Sequence, residues 1–328
     1  MGAHALDRDL EDLAASARQA LVRRIDATGA WDADPVWREA FAAVPRHLFV
    51  PYYYVGVRGG YERRWGETPD PEARENWLLG AYADAPLATR LRDGDLVSSS
   101  SQPSLMARML VELRVRDGDR VLEIGTGSGY NAALLAHRLG DDGLVTTVDL
   151  DPEITESARR HLAAAGHRPA VVTGDGARGV PERAPFDRIV ATCALTSVPP
   201  AWLAQCHPGA RILAPLATGL IALTVRDDGH AEGHFLPTPA YFVPLRGGTG
   251  SRPEPVDLDA VPDHARGDEL FGFLLALTRG SLDAQEAYVL WEREGRPRRE
   301  RYGVTAGDER GWAWLDDPEG PYAWPLPA

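Results

Sequence analysis

A glycine turn between a buried strand and a helix is the feature that most constrains the fold of this chain. Residues 121–130 read Val-Leu-Glu-Ile-Gly-Thr-Gly-Ser-Gly-Tyr, a short apolar strand with an acid followed by alternating glycines. Glycine has no Cβ, so the backbone there can approach a bulky ligand closely. Residues 131–140 are predicted to form a helix that ends at Gly140 as its C-cap. Strand, turn and helix together predict half of a nucleotide-type binding site.

The spacing of the glycines indicates which ligand the turn binds. A dinucleotide fingerprint needs G-x-G-x-x-G, whereas here the third glycine is Gly129 and Tyr130 occupies the position that the fingerprint reserves for glycine. The G-x-G-x-G form preceded by an acid is typical of class I S-adenosylmethionine methyltransferases. We therefore predict that the donor site includes Glu123, Gly125, Thr126, Gly127, Gly129 and Tyr130.

An aspartate ends the next predicted strand, residues 144–149. Asp149 lies about twenty residues after the glycines, where an acid accepts hydrogen bonds from ribose hydroxyls. The alternative is a helix N-cap, but Asp151, directly before Pro152, suits the cap better. We assign Asp149 and its neighbour Leu150 to the donor site.

A second aspartate follows the third predicted strand, residues 170–173. Asp175 stands between Gly174 and Gly176, and a carboxylate at this strand end can accept a hydrogen bond from an adenine amino group. An Asp-Gly turn without any ligand role is the alternative. The position of the aspartate in the series of strands favours adenine, so Asp175 and Gly176 join the predicted donor site.

The alternation of strands and helices predicts an α/β fold. From about Asp117 to Val225 the strand–helix alternation is unbroken, which predicts a mainly parallel, Rossmann-like sheet with helices on both faces. Helices are predicted before it, and a small α+β extension after it. We divide the chain into an N-terminal helical region with an insertion (1–100), a methyltransferase domain (101–245) and a C-terminal extension for peptide recognition (246–328).

Composition excludes several classes of function. The formal net charge of −13 argues against a nucleic-acid partner, because nucleic-acid-binding surfaces are usually basic. The chain has no lysine, which excludes Schiff-base chemistry, and its two cysteines form no C-x-x-C pair, so we predict no metal. The apolar runs are too short to span a bilayer. We expect a cytoplasmic protein without a membrane partner.

Several motifs together resemble the protein-L-isoaspartate O-methyltransferase family. The resemblance spans about Val36 to Leu216. Its motifs are residues 44–51 (VPRHLFVP), 82–87 (YADAPL), 101–103 (SQP), 121–130, 174–176 with Gly179, and 185–189 (PFDRI). Membership implies S-adenosyl-L-methionine as donor, S-adenosyl-L-homocysteine as product, and a protein or peptide acceptor carrying aspartate or isoaspartate.

The serine-containing motif, residues 101–103, is the part of this resemblance that concerns the methyl acceptor. In the family this turn lies over the methyl donor and the substrate carboxylate, which makes Ser101 the catalytic candidate and also a donor contact. The substrate-binding candidates are Ser100, Gln102, Pro103 and His47. The alternative is that Ser101 only caps the helix that follows Pro103. A carboxylate substrate also needs local positive charge, and the candidates for it are Arg46, His47, Arg63 and Arg64. Arg63 and Arg64 are better explained as ordinary charged side chains in solvent.

Three features depart from an ordinary repair enzyme. These are the insertion 52–76, a serine turn widened to 98–104, and about a hundred residues after Val225. The enlarged form resembles actinobacterial homologues that accompany ribosomally made, modified peptides. That resemblance implies esterification of an aspartate in a macrocyclic precursor peptide, followed by closure to an aspartimide. A general isoaspartyl repair enzyme and a non-catalytic donor-binding partner protein remain the alternatives. The oligomeric state stays open, with a monomer favoured.

Overall fold

A computed structural model describes residues 8–140, 143–247, 257–307 and 310–327 of the chain. The chain divides into two compact units, Met1–Gly174 and Asp175–Ala328. Each unit is described by itself below. Within the residues described, none of the helices combines the length and the apolar character that a membrane span requires.

The first unit opens with two helices and an antiparallel sheet. The elements are, in order, α1 (Arg8–Asp26), α2 (Val36–Ala43), β1 (Tyr52–Val57), β2 (Gly60–Trp65), α3 (Pro71–Ala81), β3 (Leu87–Arg92), β4 (Asp95–Ser100) and α4 (Pro103–Leu113). The four strands form one sheet in the order β2-β1-β3-β4. This sheet is a correction, because the prediction of a helical region over residues 1–100 did not include it.

The same unit then continues with the predicted parallel strands. These are β5 (Val121–Ile124), α5 (Tyr130–Leu139), β6 (Val145–Asp149), α6 (Pro152–Ala164) and β7 (Ala170–Thr173). β5 pairs in parallel with β6, and β6 with β7. Every residue of β5 and β6 is buried, as expected for parallel strands covered on both faces. The predicted alternation over this stretch is confirmed.

The second unit contains a seven-stranded run of sheet in the order β14-β13-β12-β11-β10-β9-β8. Its elements are β8 (Phe186–Ala191), α7 (Pro200–Leu203), β9 (Cys206–Leu216), β10 (Gly219–Val225), β11 (Ala231–Pro239), α8 (Asp263–Arg266), α9 (Glu269–Leu277), α10 (Ala284–Arg293), β12 (Tyr302–Ala306), β13 (Gly311–Leu315) and β14 (Ala323–Pro325). β8 and β9 are parallel, and the later pairs are antiparallel. A turn at residues 227–229 joins β10 to β11.

The described residues of the C-terminal extension form helices and strands, as predicted, and these strands belong to a sheet that begins before the extension. β12 pairs with β11, with Ala231 opposite Ala306 and His234 opposite Gly303. The extension therefore continues the sheet that is formed before residue 245. Residues 241–245 form no strand: an isolated bridge joins Pro244 to Ala194, and proline has no N–H to donate to a ladder. The three-part functional division of the chain stays a prediction.

Candidate active site

The glycine turn has a backbone that only glycine adopts easily. Gly125, Gly127 and Gly129 have φ of 98°, 50° and 86°, all in the left-handed region that L side chains avoid. A Cβ added to Gly129 would lie 3.3 Å from the Ala158 Cβ, so this glycine also lets the turn pack closely on α6. The positive φ values confirm a turn that needs glycine. We call its backbone, at the end of β5, the cradle, and close approach of a ligand to it stays a prediction.

Asp149 supports this cradle from the end of β6. It is 8% exposed, and its Oδ2 accepts a hydrogen bond from the Gly127 N–H at 3.1 Å. Its Oδ1 accepts from the Asp151 N–H at 3.2 Å. The N-cap of α6 is Asp151, whose side chain accepts a hydrogen bond from the Glu153 N–H. The prediction that Asp151, and not Asp149, caps this helix is therefore confirmed. Leu150 is 41% exposed beside this carboxylate. The ribose contact itself stays a prediction.

Glu123 lies behind the turn, fully buried. Its Oε1 accepts from Asn131 Nδ2 and its Oε2 from Thr147 Oγ1, both at 2.7 Å. Thr126 Oγ1 is in turn 2.8 Å from the Thr147 hydroxyl. Both carboxylate oxygens thus have protein partners, so the described contacts give Glu123 a positioning role for β5, β6 and the turn.

Glu123 makes stability depend on pH in a defined direction. Burial raises its pKa to about 7, from an ordinary 4.5. A carboxyl with a higher pKa in the folded chain stabilises the fold fully below its unfolded pKa and loses that contribution as pH rises to the folded pKa. As pH rises from the unfolded pKa of Glu123 to its folded pKa, we expect this group to lower the free energy of unfolding by about 3 kcal/mol. Glu123→Gln lacks this dependence.

Urea unfolding of wild type and Glu123→Gln, measured below the unfolded pKa and again above the folded one, checks this prediction. Glu156→Gln is the matched control, because the Glu156 side chain is 56% exposed. Parallel stability curves for all three proteins over this interval would contradict the assignment.

The serine run is a strand and not a widened turn, which corrects the prediction. Ser98, Ser99 and Ser100 are the last residues of β4. A Cβ built on Gly127 would lie 3.5 Å from the Ser99 carbonyl oxygen. β4 therefore runs close beside the glycine turn and delivers Ser101 at its end.

Ser101 lies between β4 and α4, and it does not cap the helix. The N-cap residue is Gln102, without a side-chain cap bond, and the Ser104 N–H instead donates to Asp84 Oδ1 at 2.9 Å. The capping alternative for Ser101 is therefore wrong. The Ser101 hydroxyl, half-buried, has no hydrogen-bond partner among the residues that the structure describes. It is available to a ligand.

The neighbouring motif residues fix the loop. The Gln102 amide donates to Ser104 Oγ at 3.0 Å and to Asp84 Oδ2 at 3.4 Å. Pro103 is the buried first residue of α4. These contacts explain why the serine motif and the earlier motif at residues 82–87 belong together. A direct contact of Gln102 or Pro103 with substrate stays a prediction.

Arg46 organises the loop that carries Ser101, a role that the sequence did not indicate. Its side chain is completely buried, and it donates to the carbonyl oxygens of Ala81, Ala83, Ala85, Ser100 and Ser101 and to the Ser100 hydroxyl, at 2.9–3.4 Å. One guanidinium thus joins the loop after α3 to the end of β4. The suggestion that Arg46 attracts a substrate carboxylate is wrong, because the side chain is completely buried and both of its terminal nitrogens donate to backbone carbonyl oxygens.

His47 is buried beside Arg46, and its ring is 7% exposed. Its Nδ1 lies 2.7 Å from the Tyr82 hydroxyl. Burial lowers the pKa of His47 to about 4, so the ring is neutral near pH 7 and supplies no positive charge. The substrate contact assigned to His47 stays a prediction.

Tyr130 contributes its ring to the core. It is 4% exposed, with ring centroids 5.5 Å from Phe49 and 6.2 Å from Phe41. Burial raises the pKa of its hydroxyl. The aromatic side chain that replaces the dinucleotide glycine therefore ties α5 to the N-terminal elements of the first unit.

Asp175 and Gly176 open the second unit. The Asp175 Oδ1 accepts from the Ala177 N–H at 3.0 Å, which caps a short 3₁₀ turn. The Gly176 carbonyl accepts from Trp202 Nε1 at 2.8 Å. A local turn role for Asp175 is thus observed, and the adenine contact stays a prediction. Among the described residues, no group of three or more His, Cys, Asp or Glu side chains is arranged to hold a metal ion.

Comparison with known proteins finds consistent relatives. The family model "Protein-L-isoaspartate(D-aspartate) O-methyltransferase (PCMT)" matches residues 73–249. Protein-L-isoaspartate O-methyltransferase 1 of Archaeoglobus fulgidus is 36% identical over 217 residues, 65% of this chain and 87% of the relative. The protein-L-isoaspartate O-methyltransferase of Hyperthermus butylicus is 34% identical over 249 residues, 72% of this chain and 91% of the relative.

Solved structures extend the likeness to the C-terminal region. A structure described as a protein-L-isoaspartate O-methyltransferase is 23% identical with a TM-score of 0.63, covering 94% of this chain and 98% of its own. A second one, from Plasmodium falciparum in complex with S-adenosyl-L-homocysteine, has a TM-score of 0.52 and 15% identity, covering 70% and 98%. These likenesses confirm the predicted class I methyltransferase fold. The first of these structures covers 94% of this chain, so its likeness includes most of the residues after Val225.

Proposed function

This chain belongs to the protein-L-isoaspartate O-methyltransferase family, and we propose that it transfers a methyl group from S-adenosylmethionine to a side-chain carboxylate of a polypeptide. One observation carries the proposal furthest. Ser101, whose hydroxyl has no partner among the described residues, directly follows β4, whose Ser98 lines the same cavity as Gly127 of the glycine turn.

The residues of the first unit fit the donor. The glycine turn is an open cradle that a Cβ at Gly127 would begin to fill, 3.5 Å from the Ser99 carbonyl. Asp149 holds its carboxylate at the edge of this cradle, with exposed Leu150 next to it. Asp149 would bind the ribose hydroxyls, and Leu150 would cover the base. When bound, S-adenosylmethionine supplies a methyl group on a positively charged sulfur.

The acceptor needs positioning more than activation. A carboxylate is already ionised at neutral pH, so no general base is required. The rate then depends on holding oxygen, methyl carbon and sulfur in line, which is worth effective molarities on the order of 10⁵ M or more. Ser101 would donate a hydrogen bond to the carboxylate oxygen that does not attack. Arg46 fixes the Ser101 carbonyl at 3.1 Å and so holds the backbone that carries this donor.

Removing the hydroxyl tests this role. We expect Ser101→Ala to lower kcat about 10- to 100-fold, the value of one charge-assisted hydrogen bond, with affinity for S-adenosyl-L-homocysteine little changed. Ser101→Thr retains a hydroxyl and is expected to recover part of the loss. Steady-state methylation and calorimetric titration measure the two quantities. Normal turnover by Ser101→Ala would remove Ser101 from the reaction.

For the acceptor we propose an aspartate of a modified ribosomal peptide. Esterification gives the side-chain carbonyl a methoxide leaving group that a carboxylate lacks. The following backbone nitrogen can then attack this carbonyl, and the methoxide leaves with the amide proton as methanol. A five-membered aspartimide results, and no protein group is needed for the closure. This part of the proposal is supported by the resemblance of the enlarged chain to peptide-tailoring homologues. Repair of isoaspartyl residues is the second candidate, favoured by the names of the relatives above.

Mass spectrometry separates these functions. The enzyme is incubated with S-adenosylmethionine and three acceptors: an isoaspartyl peptide, the same peptide with L-aspartate, and a ring-closed precursor peptide. Peptide tailoring predicts a precursor one methyl heavier and then, after loss of methanol, one water lighter than at the start. Methylation of the isoaspartyl peptide alone would establish repair. Donor binding without methylation of any acceptor would indicate a non-catalytic partner protein.

A further inference from the structure

The β1–β2 hairpin carries an aromatic face that the chemistry above does not use. Directly opposed residues of two strands point to the same side, and here Tyr52 opposes Trp65, Tyr54 opposes Arg63 and Gly56 opposes Tyr61. One side of the hairpin therefore carries five large side chains. We call this set the aromatic face: Tyr52, Tyr54, Tyr61, Arg63 and Trp65.

The other side of the hairpin anchors it to the unit. Tyr53 is 1% exposed there, and its hydroxyl donates to the Trp77 carbonyl of α3 at 3.2 Å. Trp77 in turn donates from Nε1 to the Val50 carbonyl at 3.0 Å. The burial that holds the hairpin in place is thus on the Tyr53 side. On the aromatic face Tyr61, Arg63 and Trp65 are exposed, and Tyr52 and Tyr54 are half-buried.

The aromatic face has the composition of a binding surface. Tyr61 and Trp65 are 52% and 38% exposed, and the Arg63 guanidinium lies 4.5 Å from the Tyr52 ring centroid and 5.6 Å from that of Trp65. Tyrosine, tryptophan and arginine dominate the energetics of protein interfaces. Cross-strand stacking stabilises a hairpin, but Tyr61 opposes a glycine, so hairpin pairing does not account for its exposed ring.

The aromatic face is continuous with a cavity that reaches the glycine turn. This cavity has a volume of about 480 Å³, and Tyr52 forms part of its wall together with Arg90, Ser98, Gly127 and Ser128. A polypeptide lying on the hairpin can therefore extend past Tyr52 toward the residues that carry the chemistry. All of these groups belong to the first unit.

Charge selects the kind of polypeptide. The whole chain has a formal charge of −13, yet the hairpin 52–65 contains three arginines and one glutamate. That glutamate, Glu62, lies on the Tyr53 side, 3.8 Å from Arg64. Arg63 has no ion-pair partner in the described part of the chain. A cation stacked between aromatic rings and not neutralised by the protein suits a carboxylate of a partner.

We propose that the aromatic face docks an acidic, aromatic-containing segment of the polypeptide whose carboxylate is methylated. The identity of the acceptor rests on the proposed function, whereas the docking surface rests on the hairpin. The segment would place acidic side chains on Arg63 and apolar or aromatic side chains on Tyr61 and Trp65.

Fluorescence anisotropy with the full chain tests the surface without turnover. The probe is a fluorescein-labelled peptide of about sixteen residues, ~50 Å when extended, with one isoaspartate flanked by glutamates and tyrosines. We expect the double variant Tyr61→Ala/Arg63→Gln to bind it about tenfold or more weakly than wild type. Arg64→Gln is the matched control, since it removes the same charge from the neighbouring residue on the opposite side, and its affinity is expected to stay near wild type.

Each outcome decides for or against the surface. Equal affinity of the double variant and wild type, equal losses for Arg63→Gln and Arg64→Gln, or unchanged binding when glutamines replace the probe glutamates would each overturn it. A dimer of wild type that becomes monomeric in the double variant, with peptide affinity retained, would assign the face to a second copy and also overturn it. A protein that binds the probe at the aromatic face but methylates no acceptor would refute the proposed function alone. Thermal unfolding and S-adenosyl-L-homocysteine titration confirm that each variant is folded.

Discussion

Replacing Asp149 with alanine is expected to weaken binding of S-adenosylmethionine and S-adenosyl-L-homocysteine about a hundredfold. Hydrogen bonds to a charged group are worth about 1.5–3 kcal/mol each, and two ribose hydroxyls would lose their acceptor. The same carboxylate accepts from the Gly127 N–H at 3.1 Å, so its removal also releases the cradle. Isothermal titration calorimetry with S-adenosyl-L-homocysteine measures the loss directly.

Two further variants serve as controls for Asp149→Ala. Asp149→Asn keeps an acceptor oxygen at the end of β6 and is expected to lose less affinity than alanine. Asp151→Ala removes the cap of α6, which costs about 1 kcal/mol of stability, and it is expected to leave donor affinity near wild type. Unchanged donor affinity in Asp149→Ala would show that the ribose does not bind at this strand end.

Replacing Arg46 with methionine is expected to cost about 3 kcal/mol or more of unfolding free energy. Methionine fills a similar volume but leaves several buried carbonyl oxygens without a donor, and each unsatisfied buried group costs about 1–3 kcal/mol. Burial lowers the pKa of Arg46 to about 10, so the wild-type side chain is still charged at neutral pH. Denaturant unfolding, with the midpoint and slope fitted together, gives the difference.

The matched control for this variant is Arg160→Met on α6. The Arg160 side chain is 66% exposed and pairs with Glu156 at 3.5 Å, and an exposed pair of this kind is worth only about 0–1 kcal/mol. Arg46→Lys keeps the charge but not the planar fork of donors, and we expect it to fall between wild type and methionine. A cost below about 1 kcal/mol for Arg46→Met would mean that the buried carbonyls find other donors.

The donor half of the site could be predicted because its signals are local. Alternating glycines need φ values that only glycine adopts readily, and Asp151 before Pro152 specifies a helix start in adjacent residues. Strands β5, β6 and β7 are apolar runs separated by helical patterns. Each of these signals is contained in a few consecutive residues, and each was found where the sequence indicated.

The acceptor half was predicted less well. The polar run 98–101 has no apolar alternation, so it was interpreted as a turn, although three of its serines belong to β4. The sequence predicted Arg46 and His47 as positive charge for a substrate carboxylate, because an isolated arginine or histidine carries no mark of its burial. Their roles depend on partners 35–55 residues away in the chain.

The sequence by itself determined the parallel strands, the left-handed glycine turn and the kind of donor, since these follow from backbone sterics and from residues adjacent in the chain. Only the tertiary structure decided that Arg46 organises the loop carrying Ser101 and that the insertion becomes a hairpin with one aromatic face. It alone decided that His47 is neutral. The physical reason is that burial, strand register and the supply of buried hydrogen-bond acceptors arise when distant segments pack together, and no local pattern records them.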